Sequence, residues 1–166
     1  MKNQHYVTPP RGIAIKFNGV VDMNELYRQM KLWLEDKGYA KESTLEKRYV
    51  ERIKPNGKQL EILWQAEKSG GDYFKYKLEI KFILMGVNEI EVQKEEGKVK
   101  LLKGNFQIYI TGYVEEGSDD WDSLGFLNKI YYNLFQRKKL DSVMGDFYSK
   151  IYSFHTYIKN FLEIRT

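Results

Sequence analysis

Cysteine is absent from this chain, and proline and histidine occur only three times and twice. Without cysteine there is no disulfide framework, no thiol nucleophile and no thiolate zinc site, a usage that fits a reducing, cytoplasmic location. Glycine and proline, 13 and 3 in 166 residues, are too scarce for a linker or collagen-like chain. Apolar runs are short as well. No window approaches the roughly eighteen continuous apolar residues of a membrane span, and Met1 to Gly12 lacks the apolar stretch of a secretory signal. Charge of one sign is not concentrated either. Residues 1–83 carry 16 basic and 11 acidic side chains and the remainder 11 and 12, with the signs interleaved. A nucleic-acid surface usually gathers its cations into a stripe, so nucleic acid, stacking on Tyr109 and Tyr113 among the lysines, is the least favoured partner.

What the chain does have is a 42% hydrophobic and 15% aromatic composition, enough for one well-packed core in a domain of this length. The polar start, residues 1–11 with Pro9 and Pro10, reads as an N-terminal arm, and residues 12–166 as a single domain. In Gly12 to Val21 the residues Ile13, Ile15 and Phe17 alternate with Ala14, Lys16 and Asn18, the period of a strand. A helix follows. Asp22 with Glu25 three residues on is a capping-box variant, and Met23, Leu26, Tyr27, Met30, Trp33 and Leu34 then recur at helical spacing up to Gly38.

From Thr44 to Val114 the period is two. Pro55-Asn56-Gly57, Ser69-Gly70-Gly71, Glu95-Glu96-Gly97 and Lys103-Gly104 divide the stretch into strands whose short turns require antiparallel pairing. Phe74, Tyr76, Leu78, Ile80, Phe82 and Leu84 alternate with Tyr73, Lys75, Lys77, Glu79 and Lys81. Phe106, Ile108, Ile110 and Val114 alternate in the same way with Gln107, Tyr109, Thr111 and Tyr113. One face of the sheet is therefore dry and the other wet.

Two helices are expected to cover the dry face. The first, starting at Ser118 or Asp119 and running to Phe135, carries Trp121, Leu124, Phe126, Leu127, Ile130, Tyr131, Leu134 and Phe135. The second, from about Asp141 to Glu163, carries Val143, Met144, Phe147, Ile151, Phe154, Ile158 and Leu162 and would measure on the order of 35 Å. The fold class is α+β: an antiparallel sheet of about six or seven strands with one early helix and two C-terminal helices on its dry face.

This order of elements resembles the START-like, helix-grip ligand-binding proteins, which implies a curved antiparallel sheet around a long C-terminal helix and a ligand cavity between them. That family places two short helices after its first strand and one long helix at its end. This chain reads with one helix after the first strand and two at the end. The stretches Lys47-Arg48-Tyr49-Val50-Glu51-Arg52, Leu63-Trp64-Gln65-Ala66-Glu67-Lys68 and Asp72-Tyr73-Phe74-Lys75-Tyr76 also resemble a set of uncharacterised archaeal proteins, a likeness covering most of the chain from Gly12 and implying no particular activity.

Groups that carry chemistry are few. His155 falls inside the apolar stripe of the last helix, either as a polar group in a pocket beside Tyr148 or Tyr152, or as a boundary histidine with a satisfied hydrogen bond. Glu115, Glu116, Asp119, Asp120 and Asp122 lack the spacing of a calcium loop and suit the start of a helix. Arg137-Lys138-Lys139, between the two expected helices, reads as a phosphate or acidic headgroup contact, or as cations at a helix C-terminus. No Gly-rich phosphate loop is present, and no metal site or cofactor is expected.

The sequence therefore points away from catalysis and toward binding, to a protein partner or to copies of itself, with Tyr73, Tyr109 and Tyr113 on the wet face as the candidate interface. The alternative is a START-like carrier of a lipid or other apolar molecule, with Trp64, Tyr76, Ile108, Phe147, Ile151 and His155 lining the space between sheet and last helix.

Overall fold

A computed structural model of the chain describes residues 3–39, 45–71, 73–117 and 125–164. In chain order the elements are β1 (Asn3–Tyr6), β2 (Ile13–Val21), α1 (Met23–Asp36), β3 (Glu46–Lys54), β4 (Gly57–Ser69), β5 (Phe74–Lys94), β6 (Gly97–Glu116) and α2 (Phe126–Ile164). They form the expected α+β architecture, with a six-stranded, wholly antiparallel sheet.

The 20-residue β6 organises the sheet. One of its edges pairs with β5, and the other pairs with both β2 and β1 in succession. The segment read as an N-terminal arm is thus partly a strand, with Tyr6 opposite Tyr113 and Ile13 opposite Ile110. Six residues, 7–12, stand against only Thr111 and Gly112, because Pro9 and Pro10 have no N–H to offer a ladder and must loop out. Val7 N still donates to Gly112 O (3.0 Å), and Gly112 N donates to the buried Thr8 Oγ1 (3.1 Å). Gly12 closes the loop at φ +81°, where a Cβ would meet Thr111 Oγ1 at 2.7 Å.

The turns at Pro55-Asn56 and Glu95-Glu96 join strands as their sequence indicates. Lys103-Gly104 is not a turn. β6 runs straight through it, and four strands follow α1 where about six were expected. Gly104 sits opposite an irregularity in β5 between Met85 and Asn88, where a Cβ would lie 2.7 Å from Val87 Cγ1 and 2.9 Å from Gly86 O. Glycine serves close backbone approach here, not reversal.

Asp22 caps α1 through Oδ1, which accepts from Glu25 N at 3.1 Å, and Gly38 ends it at φ +78°. Leu26, Met30 and Leu34 are its buried stripe. The C-terminal region is one helix of 39 residues, about 58 Å long, and not two. Lys and Arg are good helix formers, so the basic run at 137–139 continues the helix where the sequence reading broke it. The part of the first expected helix at 118–124 lies outside the described residues. No described helix is long and apolar enough to cross a membrane.

The core lies between the dry face and the two helices. Phe147, Ile151, Phe154, Ile158 and Leu162 of α2 are buried there with Leu78, Ile80, Phe82, Phe106, Ile108 and Ile110 of the sheet. Gly112 interrupts the apolar row of β6, and α2 fills the dent: a Cβ at this position would collide with Ile151 Cδ1 and come 3.2 Å from Phe147 Cε1. Gly112→Ala is therefore expected to destabilise the fold by about 1–3 kcal/mol in urea unfolding. In an Ile151→Val background, which removes Cδ1, the same change should cost clearly less; equal costs would show that this contact is not the source.

Candidate functional site

The sequence-selected residues are not gathered in one place. Tyr73 is buried, not on the wet face: it precedes β5, packs edge-on to Phe74 (5.2 Å) and stacks on Tyr132 of α2 at 5.3 Å and 9°. Tyr109 and Tyr113 do face the outer side of β6, half-buried. The Tyr109 hydroxyl donates to Gln107 Oε1 (2.7 Å), and the Tyr113 ring lies 5.3 Å from Tyr6 of β1. Both are engaged within the chain.

The six residues proposed to line a ligand space divide into three groups. Tyr76, Phe147 and Ile151 come together under Tyr39, with Phe147 at 5.0 Å from Tyr76 and 5.9 Å from Tyr39. Trp64 packs against Tyr27 and Phe82, each ring at 4.9 Å, and Ile108 lies buried in the neighbouring register. His155 stands apart at the edge of β2, with Nε2 3.4 Å from Ala14 O and Tyr152 6.2 Å away. The first two groups are filled core.

An open cleft of about 600 Å³ follows the edge of β4, lined among others by Tyr39, Leu45, Gln65, Glu67, Lys77 and Tyr113. Several of its polar groups are already partnered. Lys77 pairs with Glu67 and, chiefly through that hydrogen bond, holds its carboxyl below the usual range; Gln65 Nε2 donates to Glu79 Oε1 (3.1 Å), and Lys68 Nζ donates to Lys37 O (2.9 Å). Among the described residues no three His, Asp or Glu side chains converge on a point where a metal ion would sit. Asp119, Asp120 and Asp122 of the acidic cluster lie outside those residues.

The surface that stands out is on α2. Phe126, Leu127, Ile130, Tyr131, Leu134 and Phe135 are between 40% and 79% exposed, although their apolar character placed them against the sheet in the sequence reading. The side of this segment that faces the body is instead Lys129, Tyr132, Gln136 and Leu140, all half-buried at helical spacing. At 100° per residue, the stripe through Leu127, Ile130, Tyr131 and Leu134 lies about 140° around the helix from Phe147, Ile151, Phe154 and Ile158. α2 is consequently apolar on two nearly opposite faces: inward in its second half and outward in its first. The absence of Gly and Pro from 126 to 144, together with this phase difference, is the sequence signal that reveals the outward stripe once the helix is taken as continuous.

Burial pushes several phenols up, three of them furthest. Tyr39 and Tyr73 are each raised to about 12, Tyr39 by burial and then the Tyr76 phenol, Tyr73 by burial and then the charge and hydrogen bond of Glu116; Tyr27 is raised further, again chiefly by burial. Each holds its proton more tightly folded than unfolded. Their contribution to stability is therefore complete below the unfolded value of about 10 and is lost as pH rises, through about 12 for Tyr39 and Tyr73 and higher for Tyr27. Their phenolate absorbance should appear only together with loss of the far-ultraviolet circular dichroism; full tyrosine ionisation with the dichroism intact would contradict the burial. The chain matches no protein-family model, no curated protein and no solved structure.

Proposed function

We propose that this protein is a non-enzymatic binding module that works by assembly, and that it docks through the outward stripe of α2. The observation that carries the reading is the exposure of six large apolar side chains on successive turns of one helix. Burying such a side chain is worth about 1.5–3 kcal/mol, so six of them in water forgo on the order of 10 kcal/mol. A patch of this size on a monomer usually marks a contact surface. Residues 127, 130, 131 and 134 also have the i, i+3, i+4, i+7 spacing by which a helix presents anchors to a partner.

The interface thus moves from Tyr73, Tyr109 and Tyr113 to α2, because those tyrosines are committed to contacts within the chain. The alternative, a carrier of an apolar molecule, would need a cavity where Tyr76, Phe147 and Ile151 pack against one another and Gly112.

The test is native mass spectrometry of the wild type and of Leu127→Ser/Leu134→Ser. The wild type is expected in complexes heavier than the 19.8-kDa chain. The double variant should be a bare monomer with unchanged circular dichroism and a stability within about 0.5 kcal/mol, as for exposed positions generally. A double variant that still assembles, or a wild type that binds neither itself nor any other molecule through the stripe, overturns the reading. A small excess mass lost on denaturation would favour the carrier.

A further inference from the structure

The outward stripe has an internal symmetry. The segment Phe126-Leu127-Asn128-Lys129-Ile130-Tyr131-Tyr132-Asn133-Leu134-Phe135 begins Phe-Leu-Asn and ends Asn-Leu-Phe, so its outer three positions read the same from either end. The midpoint falls between Ile130 and Tyr131, with Leu127 and Leu134 at equal distances from it. Two-fold association joins the same surface on both copies, with residue i meeting j and j meeting i, and the symmetric spacing of Leu127 and Leu134 suits it.

Resting on the assembly reading above, we propose that the occupant of the stripe is a second copy of this chain, with the two α2 helices antiparallel across a two-fold axis at Ile130–Tyr131. Leu127 then packs against the partner's Leu134, Ile130 and Tyr131 each meet their own counterparts beside the axis, and Phe126 and Phe135 flank the contact on opposite sides. The core-facing residues of α2 lie about 140° away around the helix, so the second copy approaches without disturbing the sheet.

Charge selects the antiparallel direction. Segment 126–140 carries Lys129, Arg137, Lys138 and Lys139 and no carboxylate. In a parallel pair the runs at 137–139 would lie side by side. In the antiparallel pair they are about 22 Å apart along the axis, more than twice the Debye length of about 8–10 Å at moderate salt. The interior position of Arg137-Lys138-Lys139 in α2 also removes their explanation as cations at a helix C-terminus; flanking the stripe at both ends, they keep it in one register by repelling any parallel arrangement. Size is consistent: the exposed side chains offer on the order of 600 Å² per copy, hence about 1,200 Å² in total, the lower bound of specific interfaces.

The natural absence of cysteine makes the test direct. Sedimentation of the wild type over a range of concentrations should give a dimer, and Leu134→Ser should raise its dissociation constant by about 30-fold or more. Among single-cysteine variants, Ile130→Cys is expected to form a disulfide with itself under mild oxidation. Leu127→Cys and Leu134→Cys should each remain uncrosslinked alone and crosslink to one another when mixed, because only that pair comes within disulfide reach of about 7 Å between Cα atoms. A dimer in which Leu127→Cys crosslinks to itself is parallel and overturns this geometry while leaving assembly through α2 standing. A wild type that is monomeric alone but binds an unlike protein, or vesicles containing anionic lipid, through the stripe overturns the second copy as occupant. A monomer whose behaviour is indifferent to Leu127→Ser/Leu134→Ser removes both this inference and the assembly reading.

Discussion

The ladder of hydrogen bonds on both edges of β6 is the constraint on which the rest of the structure depends. It is a long strand with partners along nearly its whole length, and it brings the first residues of the chain beside residues more than a hundred positions later. Because β1 and β2 share one edge of it, the loop at Pro9-Pro10 interrupts the strand while Gly112 stays paired: Thr8 lends its hydroxyl to Gly112 N, and Val7 N donates to Gly112 O. Gly112 then matters on its other side too. Its missing Cβ is the dent into which Ile151 fits, so one glycine couples the edge of the sheet to the seat of α2.

How α2 is seated decides which surface the molecule presents. Its second half is held by buried Phe147, Ile151, Phe154, Ile158 and Leu162. Its first half is held by the stack of Tyr132 on Tyr73 and by partly buried Leu140, Val143 and Met144, a narrower attachment that leaves the opposite side of the helix in water. A continuous helix cannot rotate its first half independently of its second, so fixing Ile151 against Gly112 also fixes the direction in which Leu127, Ile130, Tyr131 and Leu134 point. An apolar stripe held rigidly outward loses little conformational freedom on docking, which favours its use as an interface.

Much of the fold was legible because alternation and capping are local. Ile80, Phe82, Ile108 and Ile110 show the period of a half-buried strand, Asp22 and Gly38 bound α1, and Pro55-Asn56-Gly57 turns as such a triplet should. The errors share a physical origin. Gly104 resembles a turn residue because glycine serves both turns and close approaches, and only the facing irregularity at Met85–Asn88 tells them apart. The first and second halves of α2 read as two helices because the basic run Arg137-Lys138-Lys139 separates their apolar stretches, and local sequence alone cannot say which stripe faces protein. Counting back in twos along β5 puts Tyr73 on the wet face, but it lies before the strand begins and its ring turns to Tyr132.

The sequence by itself determined the α+β class, the antiparallel sheet, its dry face and the cap and stop of α1, since each follows from residues within a few positions of one another. Only the tertiary structure decided the pairing of residues 3–6 with β6, the continuity of α2 and the outward direction of Phe126 to Phe135. Those depend on contacts between residues far apart in the chain, above all Ile151 on Gly112 and Tyr132 on Tyr73, and no local period encodes which side of a helix such contacts will claim.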